Sequence, residues 1–525
     1  MLGSESRRGT HGPWILAFEM AVFLIALITM SDALPKPVHG HFYFRQGHVM
    51  ANIEKFVEDG LSLRPETYNK DVPYSLFDFP AYELLVGGIA SVAPVDPLLV
   101  ARLLSLLCFI ATLVLIDRLF NRTIGSGALT AMTLFFFALS PLCLFYFVTP
   151  LVDVLAIALS VASLLAAVRW VEPSSRARWW WAMTLAGVLA TLIKNPIYLP
   201  TFCAIVVFGV ASRGRRFLLR RDTIGFAVAI VAAVVLFKLY SNRVNGIAGF
   251  LSASETANYF GPLQDRLDPR SWQRILRVER EEMLNPLSWW LALAGLALFA
   301  LRYKGPFKSL YLGLVAGSAL ALLIFFQRYT WHDYYQLPLE LPLAFCAAYA
   351  VRSLWDAARR LRPRAPTAST GVALMVPLVL GLSLYDGLSG YREVASTPTD
   401  WLQTNGQWIR AKTSPDDFVV YVLDTEDRRD WNPAFLYFAT RDGYNLSRKR
   451  VSPRVLSSID ARFGGDYGEV LIFCPTGLEG ELDTRITASG AVLLDAGEPG
   501  FLYRLSAHGV RHTRRTKGVS GPKAQ

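Results

Sequence analysis

HGHFYFRQGHVMANIEKFVEDG (residues 39–60) and SLFDFPAYE (75–83) belong to one long polar stretch, 35–82, set between hydrophobic segments. It gathers His39, His41, His48, Arg45, Gln46, Glu54 and Asp78 with several aromatic residues at the edge of a membrane. A loop that only joins two spans needs none of this chemistry. Ionisable groups beside lipid are costly to desolvate, so their clustering marks a site.

Outward from this loop the chain is apolar. Before it, the run from Trp14 to about Leu34 is long enough to cross a bilayer, which takes about 20 residues. Glu19 inside that run and its length favour a retained helix over a cleaved leader. After it, apolar runs recur at 97–116, 124–141, 150–168, 179–193, 200–211, 223–240, 287–301, 309–326, 333–351 and 367–387. Residues 81–93 suit a short re-entrant or interfacial helix. The expected fold is a polytopic α-helical membrane protein with about eleven transmembrane helices, a large first outer loop and a small C-terminal α/β domain.

Composition agrees. Of 525 residues, 53% are hydrophobic and 18% charged, which excludes a disordered chain. The net charge of +11 sits in short loops between apolar runs, so it reports topology and no nucleic-acid partner is expected. With the N-terminus cytoplasmic, Lys and Arg are roughly threefold denser in the inner loops than in the outer ones. Both long loops (35–82 and 241–286) and the C-terminal region then share the extracytoplasmic face. Of the five cysteines, Cys108, Cys143, Cys203 and Cys346 lie in apolar runs and Cys474 in an expected strand. No metal-type or disulfide spacing is present.

The expected domains are 1–389, transmembrane; 390–507, extracytoplasmic α/β; and 508–525, a disordered basic tail. In the second domain the expected strands are 418–423, 469–474, 491–496 and 501–505, and the expected helices 400–413, 432–441 and 453–463. The second outer loop carries SWQRILRVEREEML (271–284), a pattern for a helix lying in the interface; Arg270 and Arg274 on it are candidates to pair with a lipid phosphate.

Group transfer from an activated phosphate needs a base for the acceptor, cations for the departing phosphate and aromatic surfaces for sugar or lipid. Asp78 and His48 are the candidate bases; Asp78 is equally suited to capping the helix that opens near Pro80. Arg45, Arg328 and Lys194 are candidate phosphate ligands, though a lysine at a helix end also snorkels without further purpose. His41, Gln46 and Glu54 in the first loop, and His332, Asp333, Tyr334 and Tyr335 in QRYTWHDYYQLPLELP (327–342), are candidate substrate contacts. An aromatic belt explains the tyrosines alone but not Arg-x-x-x-His-Asp. The histidines show no recognised metal spacing, so neither metal nor cofactor is expected.

FYFRQ (42–46), FDFPAYELLVGGIASV (77–92), WHDYYQLPLELPLA (331–344) and NPAFLYFATRDGYNL (432–446) together resemble the C-type integral-membrane glycosyltransferases. The similarity is to the branch of the dolichyl-phosphate-mannose protein mannosyltransferases and bacterial lipid A sugar transferases. The resemblance implies an inverting transfer of a hexosyl or pentosyl group from a polyprenyl-phosphate sugar at the outer face of the plasma or bacterial inner membrane. The acceptor would be a lipid, a polysaccharide or a protein. It adds Tyr82, in the FPAYE segment, to the expected substrate contacts. The family places an acidic base early in the first loop; here no Asp or Glu follows the RQ pair until Glu54. A transporter, flippase or assembly factor for a lipid-linked saccharide is the alternative reading.

Overall fold

The structure, a computed structural model, describes residues 12–70, 76, 78–172, 177–246, 257–305, 307–363, 365–396, 400–423, 433–475, 481–497 and 499–505. The basic tail 508–525 lies outside them. The chain forms two compact units, Met1–Glu66 with Tyr74–Thr399, and Thr67–Pro73 with Asp400–Gln525. The second unit therefore starts about ten residues later than expected, because the helix Pro366–Ala395 runs on past 389.

The first unit is helical, and each of the eleven apolar runs falls on a helix. Among the described residues seven helices are long and apolar enough to cross a membrane, or eight if the bent pair Pro269–Met283 and Pro286–Arg302 is one span. The protein is thus an integral membrane protein. The lower count has two sources. Gly127–Ala138, Pro286–Arg302 and Lys308–Ile324 have 12, 17 and 17 residues, which at 1.5 Å per residue fall short of a roughly 30 Å hydrocarbon core. The runs at 179–193 and 200–211 join into one kinked helix, Ala177–Arg213. Leu16, Leu24 and Ile28 on the first helix and Val228, Leu236, Leu374 and Leu378 on later ones face outward, an apolar surface made for lipid. The arm Pro269–Met283 turns 107° from Pro286–Arg302, the geometry of an interfacial helix.

Small residues set the closest helix contacts, as in other membrane bundles. A Cβ on Gly317 would come within 2.8 Å of Pro200 Cα, and one on Gly313 within 2.9 Å of Ala204 Cα. Lys308–Ile324 therefore packs with its backbone against the second half of Ala177–Arg213.

The second unit holds a five-stranded sheet: β1 Phe418–Leu423, β2 Gly443–Ser447, β3 Val470–Pro475, β4 Val492–Gly497 and β5 Gly500–Arg504, in the order β2-β1-β3-β5-β4. β1 pairs in parallel with β2 and β3, and β5 runs antiparallel to β3 and β4. β1 and β3, at the centre, are continuous apolar runs buried along nearly their full length. Val420, Val422, Leu446, Leu456, Ile472 and Ile486 form the core between sheet and helices. β2 was not expected, because GYNLS is rich in turn formers. It forms where a Cβ on Gly443 would sit 2.1 Å from the Val419 carbonyl, a contact only glycine permits. Gly443 also pairs with the first-loop segment: its amide donates to Tyr68 O and its carbonyl accepts from Lys70 N, both at 2.8 Å. Asn69 and Gly443 form a parallel bridge, flanked by a Lys70–Asp442 ion pair at 3.4 Å.

Candidate functional site

The first loop folds into the helix Tyr43–Asp59. Its N-cap, Phe42, has φ 49° and ψ 35°, a left-handed conformation in which a bulky side chain is an outlier. Ring contacts with Phe44, His332 and Tyr334 hold it there. Arg45, His48 and Asn52 lie on the buried face of this helix. Glu54, nine residues on from Arg45, is turned about 180° away from it at 100° per residue. Glu54 therefore does not share the face of Arg45. Gln46 is fully buried, and its side-chain amide donates to the carbonyls of His39 (2.8 Å) and His41 (3.1 Å). It staples the loop to the helix and has no donor facing a substrate.

Asp78 is the centre of the buried charge. Arg45 pairs with Asp78 Oδ2, and Lys194 Nζ donates to the same oxygen at 2.9 Å. Burial by itself raises a carboxyl's pKa, but the Lys194 ammonium and the Arg45 guanidinium outweigh it and hold Asp78 below the usual carboxylate range. A carboxylate so clamped is a poor proton acceptor; it positions two cations. Nor does it cap the next helix, Ala81–Val92, whose N-cap is Pro80 with no side-chain hydrogen bond.

Lys194 reaches Asp78 because its helix breaks there. Within Ala177–Arg213 it has φ −160° and ψ 91°, and Pro196 and Pro200 follow. Pro196 has no amide to give the Leu192 carbonyl four residues back. That carbonyl instead accepts the Phe79 amide at 3.1 Å. One proline thus kinks the helix, turns Lys194 inward and clips the Asp78 segment to the break.

Arg328 completes the cationic side. It stands over the Tyr259 ring at 4.4 Å, lies 3.2 Å from His332 Nε2 and acts electrostatically on Asp78. Tyr335 and Tyr334 present their faces to Lys194 at 5.0 and 5.9 Å. Two acids sit among these cations with free oxygens. Glu83 is buried with Oε2 lacking a partner, and burial pushes its pKa up to about 7. Asp153, fully buried at the start of Asp153–Val171, has no partner for either carboxylate oxygen. Glu83 and Tyr259 escaped the sequence reading because each lies in an apolar or aromatic stretch.

A small apolar pocket, with a cavity volume of about 30 Å³, opens along the same helices. Ile157, Ser160 and Leu164 line it one to three turns past Asp153, Ile197 and Thr201 one to two turns past Lys194, and Leu337 and Leu341 just past Tyr335.

Three expected contacts lie elsewhere. The Tyr82 hydroxyl is used within the bundle, against Ala101 O (2.6 Å) and Ser105 Oγ (2.8 Å). Arg270 and Arg274 are exposed on the interfacial arm and do not join the buried cations. A second cluster was missed. His41 Nδ1 lies 3.1 Å from Asp333 Oδ2 and 3.7 Å from Glu282 Oε2. This is the set of donors, among the described residues, that converges closely enough to hold a small cation.

The fold is similar to those of several solved structures. ArnT from Cupriavidus metallidurans bound to undecaprenyl phosphate matches at TM-score 0.59 and 14% identity, over 94% of this chain and 98% of that one. AglB, the oligosaccharyltransferase of Archaeoglobus fulgidus, in complex with an inhibitory peptide and a dolichol-phosphate, matches at 0.53 and 14%, over 94% and 74%. The mycobacterial arabinofuranosyltransferase AftD matches at 0.50 and 15%, over 94% of this chain and 42% of its own. Residues 64–278 match the family described as "Predicted membrane protein (DUF2142)". No curated protein matches the chain by sequence.

Proposed function

We propose that the protein is a glycosyltransferase that moves a sugar from a polyprenyl-phosphate donor to a cell-envelope acceptor at the outer face of the membrane. The observation that carries this reading is the convergence of Arg45 and Lys194 on Asp78, with Arg328 acting on the same carboxylate and an apolar-lined pocket along the helices that carry Asp153 and Lys194. Three cations against one ionised clamp, Asp78, leave positive charge for a phosphodiester, and the apolar lining is the kind of surface that meets the first units of an isoprenoid tail. Asp153 and the free oxygen of Glu83 are acceptors for sugar hydroxyls, while Tyr334 and Tyr335 offer ring faces. That the relatives in fold were captured with undecaprenyl phosphate and dolichol-phosphate supports this donor class.

In the reaction the acceptor oxygen attacks the anomeric carbon as the bond from that carbon to the phosphate oxygen breaks. The configuration inverts, the polyprenyl phosphate leaves onto the cations, and the hydroxyl proton passes to a base on the acceptor side. The cations act by stabilising charge that develops on the leaving phosphate.

The test is transfer by the purified chain in lipid, with a panel of radiolabelled polyprenyl-phosphate sugars and a crude envelope acceptor. Lys194→Ala and Arg45→Ala should each lower transfer at least 100-fold, whereas Arg274→Ala should leave it unchanged. Absence of transfer from every donor, with folding intact, would sink the proposal.

A further inference from the structure

The His41 cluster is not used by the phosphate site. His41 precedes the Tyr43–Asp59 helix, Glu282 sits in the π-helical turn Val278–Met283 and Asp333 opens the late span. Their three donor atoms lie within 4.8 Å of one another. A tetrahedral ion with bonds of about 2.0–2.1 Å separates its ligand atoms by about 3.3 Å. The contacts of 3.1 and 3.7 Å from His41 bracket that edge.

Two of the three ligands are also held from behind. Asp333 Oδ1 accepts the Tyr146 hydroxyl at 2.5 Å and the Tyr334 amide at 2.6 Å, which leaves Oδ2 for the cluster. His41 is fixed through its backbone, with its amide donating to Val394 O at 3.3 Å and its carbonyl accepting from Gln46. Such supports orient metal ligands in known sites. Charge points the same way. The Glu393 carboxylate adds its field to those of Asp333 and Glu282. Arg277 acts on Glu282 only from a distance, and among the described residues no lysine or arginine forms an ion pair with Glu282 or Asp333. Asp333 is nearly fully buried, and a buried carboxylate beside others requires a counter-charge, which a protonated His41 or a bound cation at the same place supplies.

We propose that His41, Glu282 and Asp333 bind one divalent transition-metal cation, of the kind an imidazole and two carboxylates select, zinc or manganese, with open positions left for an oxygen ligand. Phe42, next to His41, and Tyr334, next to Asp333, share a ring contact, and Tyr334 faces Lys194. The cation therefore lies across one aromatic layer from the phosphate cations, where an acceptor hydroxyl would enter. This placement rests on the transferase reading; the binding itself does not.

The experiment uses the full chain in lipid nanodiscs, stripped with chelator and titrated with Zn²⁺, Mn²⁺ or Co²⁺. The readouts are metal content after desalting and the visible absorption of the Co²⁺ form. One ion per chain is expected, with at least 100-fold weaker binding in Glu282→Gln and Asp333→Asn and roughly 10-fold weaker binding in Tyr146→Phe. Arg274→Ala, on the exposed interfacial arm, should bind as the wild type does. Elution as a folded species and an unchanged melting temperature identify variants that can be compared. No stoichiometric ion in the wild type, or equal binding in Glu282→Gln and Asp333→Asn, would overturn the metal site. Neither result depends on any sugar donor, so transfer is decided separately.

Discussion

At Asp78 a single oxygen holds two buried cations, so its removal strands both. Breaking a buried pair of this kind costs about 3–5 kcal/mol. Asp78→Asn should therefore melt well below the wild type, and undecaprenyl phosphate should restore more stability to the variant than to the wild type, because the ligand replaces the lost charge. A thermal shift series with the lipid checks this; an equal shift in both proteins would show that the phosphate does not meet Arg45 and Lys194. Glu83 gives a pH dependence. Its pKa is raised from 4.5 to about 7 in the fold, so between those values the folded state holds a proton that the unfolded state has released. Stability then falls as pH rises from about 4.5 to about 7 and is level above, by up to about 3 kcal/mol. Glu83→Gln should flatten that slope in melting curves recorded from pH 4.5 to 8. Much of this site was legible in residue types, since Arg45, Asp78, Lys194 and Arg328 are charges beside apolar runs. Their roles were not. Asp78 reads as a base until its two partners are seen. His41 and Asp333 are 292 residues apart, and no spacing rule joins them.

Among the elements, Ala177–Arg213 shows how a helix break is used. The sequence displays two apolar runs with Lys-Asn-Pro between them, which is where the kink falls. What it cannot display is that the Leu192 carbonyl, freed by Pro196, is taken by Phe79. Pro196→Ala returns an amide to that carbonyl and sets the two donors in competition. The variant should fold, yet bind undecaprenyl phosphate about tenfold more weakly, as Lys194 and Asp78 lose register. Titration of the lipid into wild type and variant measures this, and equal affinity would mean that the kink is only structural. The apolar runs announced the helices because period and length suffice for that. The short strand Gly443–Ser447 was hidden, because its pairing depends on two distant neighbours, β1 and the first loop.

For the whole molecule, the bridge from Asn69 to Gly443 fixes a parity. Residues 67–70 and the C-terminal sheet pair directly, so the chain must cross the membrane an even number of times between them. Among the described residues, six of the seven helices long and apolar enough to cross lie in that interval, an even number. Cysteines introduced at Ser62 and Ser457, both exposed, should react with an impermeant thiol reagent from the same side of sealed vesicles. Labelling from opposite sides would refute this topology.

The same bridge also sets a clock. Gly443 leaves the ribosome roughly 370 residues after Asn69, about 20–75 s later at 5–20 residues per second. Throughout that interval the first loop, which carries Arg45 and Asp78, lacks the partner that anchors its far side. The protein is therefore completed from its last domain backward, and no nascent chain short of β2 holds a finished first loop.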